Sequence, residues 1–429
     1  MRAACLLLLS ASAALGCTRA GSFTQPTTAI PSVVSFSSPT TTCQPKVVML
    51  WWGNNTADGD SAGAAFGFGA LSSDGQMASF ARTTNGSDPT NNDRIRKTDH
   101  AIVVIDNTGA IIASATQSSL DTDGFTVTWD VADATARIVN FLAIGGPDIT
   151  NAAVGTYQGN TTGAQAVTVG STGGFQPDLV ILFGAGIDNS AGAGFTPAFG
   201  LNTSTNNMAA ALGSTDNVAT SVAFKRQRTG NLRSLSTISG AGTPVTECTT
   251  FTTTSTGFSI TCATQGNQHT SYIAIKGGQY KVGSGNQPTA SGNHNTFTSI
   301  GFTPTAVLIG SFQAGSTTSS VATARWSWGA GTSATSRFAL WNGVTDAAAT
   351  DVSTTYLDRT KIVQYRQETG ATSTGVVSAD LVSFSSGIVT LNWAADATSR
   401  ELIYLAIQTT EGSAPPPPTT TSVRRIIRQ

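Results

Sequence analysis

The chain has 429 residues, of which 11% are charged and 45 are glycine, with 23 Lys and Arg against 24 Asp and Glu. The charged fraction is less than half of the roughly 25% usual in globular proteins, and a net charge of −1 offers no basic face for nucleic acid. A hydrophobic fraction of 39% excludes the highly charged disordered class. Glutamate occurs only at Glu247, Glu368, Glu401 and Glu411, and histidine only at His100, His269 and His294. Thr, Val, Ser and Gly dominate, so the sequence predicts an all-β protein.

Residues 1–19 form the first predicted segment. One arginine, an uncharged run from Ala3 to Thr18 and small residues before a possible cut have the form of a secretory leader. The run is short for a membrane span of about 20 residues. Ala14-Leu15-Gly16-Cys17 is a loose lipobox, which makes Cys17 a candidate for lipidation. A membrane is therefore expected as a partner only through a lipid on Cys17.

The rest of the chain repeats three times. A proline followed by an apolar strand occurs at Pro45, Pro177 and Pro304. An apolar alternation follows each of them: Phe66-Gly-Phe68, Phe199-Gly-Leu201 and Trp326-Ser-Trp328. Later strands open at Gly124, Gly257 and Gly387, and each copy closes on an aromatic strand, Phe141–Ile144, Tyr272–Ile275 and Tyr404–Ile407. Copies one and three also share Gln25-Pro-Thr27 with Gln287-Pro-Thr289, and Ala132-Asp-Ala-Thr-Ala-Arg137 with Ala395-Asp-Ala-Thr-Ser-Arg400. A period near 130 residues is that of a domain. The short strands and Gly/Asn/Ser/Asp turns predict three tandem β-sandwich, jelly-roll-like domains at residues 20–147, 148–277 and 278–412. A pseudo-threefold arrangement and a linear rod are both compatible with the sequence.

Cys43 takes the slot of Phe175 and Phe302 and is expected to be a small buried apolar residue. Cys248 and Cys262 flank a hairpin centred on Ser255, so they are the candidate disulfide, replacing Ala115 with Trp129 and Ser378 with Asn392. Residues 413–429 join a polyproline spacer, Pro415–Pro418, to a basic peptide with Arg424, Arg425 and Arg428. These three arginines are the candidate docking tail.

Chemistry is sparse. No nucleophile elbow is evident and the histidines occupy unrelated repeat positions. Asp58-Gly-Asp60 and Asp121-Thr-Asp123 come nearest to a calcium loop, but the turns matching the second in the other copies lack carboxylates, which favours a plain turn. Basic clusters recur as Arg94, Arg96 and Lys97, as Lys225, Arg226 and Arg228, and as Arg359, Lys361 and Arg366. They read as solvated edge-strand protection, or as one ligand face of a three-domain array. No catalytic, cofactor-binding or metal-binding residue is assigned, and no cofactor.

The unit resembles tandem-repeat, Gly- and Thr-rich virion-associated structural proteins of tailed phages. Gly174-Phe-Gln-Pro177 and Gly301-Phe-Thr-Pro304 carry the first shared pattern, and Gly124-Phe125 and Gly257-Phe258 the second. The resemblance spans about residues 20 to 410 and implies a non-enzymatic virion component of the tail or head surface. Its expected partners are other virion or surface subunits, further copies of itself, or a host-surface glycan. The leader keeps open an exported bacterial surface lipoprotein acting as an adhesin or glycan-binding module. A carbohydrate-active enzyme is the weakest alternative.

Overall fold

The computed structural model describes residues 17–36, 43–159, 163–186, 191–229, 232–234, 246–264, 269–312, 321–394 and 398–410. Every described element is a strand, as the composition requires. The strands make three seven-stranded and three four-stranded sheets. In the first copy the large sheet runs Thr18–Thr24, Ile138–Gly145, Pro45–Trp52, Ala65–Ser72, Gly75–Thr83, Asn92–Lys97 and Gly192–Ala193, each neighbour antiparallel. The small sheet runs Pro31–Ser35, Gly124–Val131, Ile111–Asp121 and Ile102–Ile105. The second and third copies repeat both orders.

The seventh strand of each large sheet comes from another copy. Gly192–Ala193 of the second copy pairs with Arg94 and Asp93 of the first. Val321–Ala322 of the third pairs with Phe224 and Lys225 of the second. Gly59–Ala62 of the first pairs with Thr354–Leu357 of the third. The exchange runs 1 to 2 to 3 and back to 1, so the copies form a closed ring rather than a rod.

The central strands of each large sheet are buried on both faces, and this explains why the repeat strands read as unbroken apolar runs. In Pro45–Trp52 the side chains of Val47, Met49 and Trp51 enter a core shared by all three copies. Val48, Leu50 and Trp52 alternate with them and face the copy's own small sheet, meeting Phe125, Val127 and Trp129. The aromatic alternation places the side chains that meet across copies. Phe66 lies 4.5 Å from Trp326 and 5.8 Å from Phe199, Phe68 lies 4.3 Å from Phe183, and Phe199 lies 4.4 Å from Trp328, centroid to centroid. The intervening Gly67 is a requirement of packing, since a Cβ there would stand 2.0 Å from the Trp52 indole.

The shared openings and Asp-Ala-Thr motifs are two halves of one clasp. Arg137 donates to both carboxylate oxygens of Asp133, at 2.6 and 2.9 Å, and to Gln25 Oε1 at 3.3 Å. Gln25 also donates to Asp133, at 2.7 Å. In the third copy Arg400 donates to Gln287 Oε1 at 3.0 Å. In the second copy Gly155 matches Gly21 and Gly283, which puts the buried Gly159 in the position of these glutamines.

Two disulfides pin the chain. Cys248 and Cys262 are bonded and stand opposite each other in their hairpin. The pairs at the matching positions are Ala115 with Trp129 and Ala379 with Trp393. The expected Ser378–Asn392 pair is corrected, because this hairpin closes on Ser385 with Ile388, one residue beyond Gly387, and sets Ser378 opposite Ala394. Cys43 is buried as expected but is not a free apolar residue, since it is bonded to Cys17.

Candidate functional site

The places where copies meet are rich in polar contacts, and they come as three equivalent junctions. At the first, Thr90 N donates to Val218 O at 3.0 Å and Asn217 N to Thr90 O at 2.8 Å. At the second, Ser221 N donates to Ala348 O at 2.9 Å and Ala347 N to Ser221 O at 2.7 Å. At the third, Asp351 N donates to Ser87 O at 3.0 Å and Gly86 N to Asp351 O at 2.6 Å. A side-chain oxygen locks each one: Asp216 accepts from Asn92 N at 2.7 Å, Asp346 from Ala223 N at 2.9 Å, and Asn85 from Ser353 N at 3.1 Å. Gly86, Asn217 and Ala347 all adopt positive φ, so the turn is held even where alanine is strained.

These loops escaped the sequence reading, which followed apolar landmarks. A signal was present, because Thr90, Ser221 and Asp351 are 131 and 130 residues apart, the period of the repeat.

Two of the basic clusters correct the edge-protection reading. Arg94, Arg96, Lys225 and Arg226 are buried, because the strand from the next copy covers the edge they occupy. Burial brings Arg94 and Arg96 down to about 10 and Lys225 down to about 8. Arg94 donates to Thr196 Oγ1 and Arg96 to Ser271 Oγ, both of the second copy. The third cluster is used differently. Arg359 pairs with Asp58 at 2.9 Å and Lys361 with Asp380 at 2.9 Å, while Arg366 lies over the Tyr356 ring at 3.4 Å.

The carboxylate loops have structural partners. Asp58 holds Arg359, and Asp60 accepts from Ser373 Oγ, so Asp58-Gly-Asp60 fastens the exchanged strand of the first copy to the third. Asp121 accepts from Ser119 and Thr126, and Asp123 from Cys43 N, within and beside a hairpin turn. Among the described residues no group of three His, Cys, Asp or Glu side chains is arranged to hold a metal ion. A polar cleft of about 250 Å³ lies between the first and second copies, lined by Lys46, Asp74, Asn151 and Thr172 among others. Asp74 there accepts from Ser171 N at 2.9 Å, fastening the two copies.

The Cys17 sulfur is engaged with Cys43, so in this state it is not available for a thioether-linked lipid. Arg424, Arg425 and Arg428 lie outside the described residues, as do residues 1–16 of the leader. No protein-family model, no curated protein and no solved structure matches this chain.

Proposed function

We propose that the chain is a non-enzymatic structural protein of a phage virion, a tail or head-surface component. In this reading residues 20–147, 148–277 and 278–412 are three β-sandwich, jelly-roll-like domains. The observation that carries it is the cyclic strand exchange, through which one chain builds a ring of threefold pattern around a common core. Such a body suits a threefold position in a larger assembly, where separate chains would otherwise have to meet. The outward faces of the small sheets support a presenting role. Thr249, Thr250 and Thr252 are exposed there, and hydroxyls offer hydrogen bonds to a neighbour or to a glycan without net charge.

Mass spectrometry of purified particles tests this reading. A fixed stoichiometry in the particle is expected, and absence from particles together with presence in the cell envelope overturns it. The tail is a separate part of the proposal, with Arg424, Arg425 and Arg428 docking on a neighbouring subunit. Deleting Ser413 to Gln429 is expected to lower particle occupancy.

A second reading, an exported bacterial adhesin or glycan-binding protein, draws on the two disulfides. Such bonds form and persist in oxidising compartments. With Cys17 paired, this reading is better served by secretion than by lipid anchorage.

A further inference from the structure

The three junctions share one design, and the third breaks its rule. Thr90 Oγ1 donates to Thr215 O at 2.9 Å and accepts from Val218 N at 3.1 Å. Ser221 Oγ repeats both bonds, donating to Thr345 O at 2.8 Å and accepting from Ala348 N at 2.9 Å. Each hydroxyl therefore acts as donor and acceptor across the junction. The third position holds Asp351, which is 1% exposed, and neither of its carboxylate oxygens has a hydrogen-bond partner. Its backbone keeps the pattern of the other two, but Ser87 N, the counterpart of Val218 N and Ala348 N, donates to Thr84 O and leaves the carboxyl group without its donor.

An ionised carboxylate can only accept, whereas a protonated one both donates and accepts, as a hydroxyl does. The carbonyl equivalent to Thr215 O and Thr345 O is Thr84 O, which here accepts from Ser87 Oγ at 2.8 Å. With Ser87 N also on it at 3.4 Å, Thr84 O is engaged by its own turn, so what a proton gives Asp351 is relief from a buried, unpartnered charge.

We propose that the junction between the third and first copies is a proton-operated latch, closed when Asp351 is protonated and weakened when it ionises. Beyond the Ser353 hydroxyl, the surroundings offer the charge no compensation. On the first copy's loop the ionisable residue is the exposed Asp88, and on the loop of Asp351 itself it is Asp346, already bonded to Ala223 N. Farther out, Arg366 lies near Asp60, and Arg325 is paired with Glu368 at 2.7 Å. Burial pushes Asp351 up to about 7, against an opposing pull from the nearby Ser353 hydroxyl.

The sign follows from linkage. The closed junction holds the proton up to about pH 7, and an opened one releases it near the ordinary value of 3.8. Opening is therefore favoured as pH rises, by about tenfold per pH unit between these two values, and levels off above them. Stability from this residue is complete below pH 3.8 and is lost as pH approaches 7.

Hydrogen exchange on the full chain tests the latch, with the other two junctions as internal standards. Protection of the Gly86 and Asp351 amides, divided by that of Asn217, Thr90, Ala347 and Ser221, is expected to fall about 50-fold from pH 5 to pH 7. Asp351→Thr and Asp351→Asn are expected to flatten this ratio. A constant ratio in the wild-type chain overturns the proposal, even if neither variant folds. So does a pH dependence that survives in a folded variant.

Discussion

Each large sheet shows one face to the centre of the ring and the other to its own small sheet, and the two faces are furnished differently. The outer tryptophans have hydrogen-bond partners: Trp52 donates to Val103 O at 3.2 Å, Trp129 to Ser32 Oγ at 3.1 Å, and Trp393 to Thr296 Oγ1 at 2.9 Å. The indole N–H groups of the central Trp51, Trp326 and Trp328 are buried without one. An orphaned donor costs about 1–3 kcal/mol, so the shared core must recover this through ring packing between copies. The outer cores are private and can be disturbed one at a time. The central core belongs to all three copies and is expected to respond as a unit.

Phe199→Ala should separate the two regimes most sharply. Phe199 touches Phe66 and Phe68 of the first copy and Trp326 and Trp328 of the third. A loss of about 3–5 kcal/mol is expected in denaturant unfolding, with faster hydrogen exchange in all three copies. Acceleration confined to the second copy would show that the central core is not cooperative.

Replacing Cys248 and Cys262 with serine probes a private core. The 14-residue separation places the expected loss near 3 kcal/mol. Exchange should quicken in the second copy's small sheet and stay unchanged in the other copies.

The smallest expected effect comes from the clasp. Arg137→Ala removes the bidentate contact with Asp133 and should cost about 1–3 kcal/mol, read as a shift of the urea midpoint. Burial alone would raise the Asp133 pKa, but its hydrogen bonds and the Arg137 charge bring it below the ordinary value of 3.8. The clasp is therefore complete above that value and weakens as pH falls through the lowered one. Its pH dependence runs opposite to that of Asp351.

The private and shared cores were not equally legible in the sequence. Strands such as Ala306–Ser311 announce themselves because burial on both faces leaves no polar alternation, and the recurring apolar alternation at Phe66, Phe199 and Trp326 marks the residues that meet in the centre. The ring itself was hidden. Gly59–Ala62, Gly192–Ala193 and Val321–Ala322 are two to four residues long and act through backbone pairing, which leaves no hydrophobic period to read. Cys17 gave no sign of its partner, because a pairing 26 residues away depends on how the first strand is laid against the sheet. The junction loops were unread for a related reason, since the same backbone contacts are made by Thr90, Ser221 and Asp351 alike.

The return of Gly59–Ala62 to the third copy also has a consequence for the timing of synthesis. Arg359 follows its partner Asp58 by 301 residues. At about 5–20 residues per second, the early segment waits on the order of 15–60 seconds for its pairing strand to be made. Throughout that interval the nascent chain carries an unfinished central core, with Phe66 and Phe68 lacking their third-copy and second-copy neighbours in turn. Two of the four residues in the waiting segment, Asp60 and Ser61, are polar, and its alternating exposure when paired means that it offers little apolar surface to a wrong partner in the meantime.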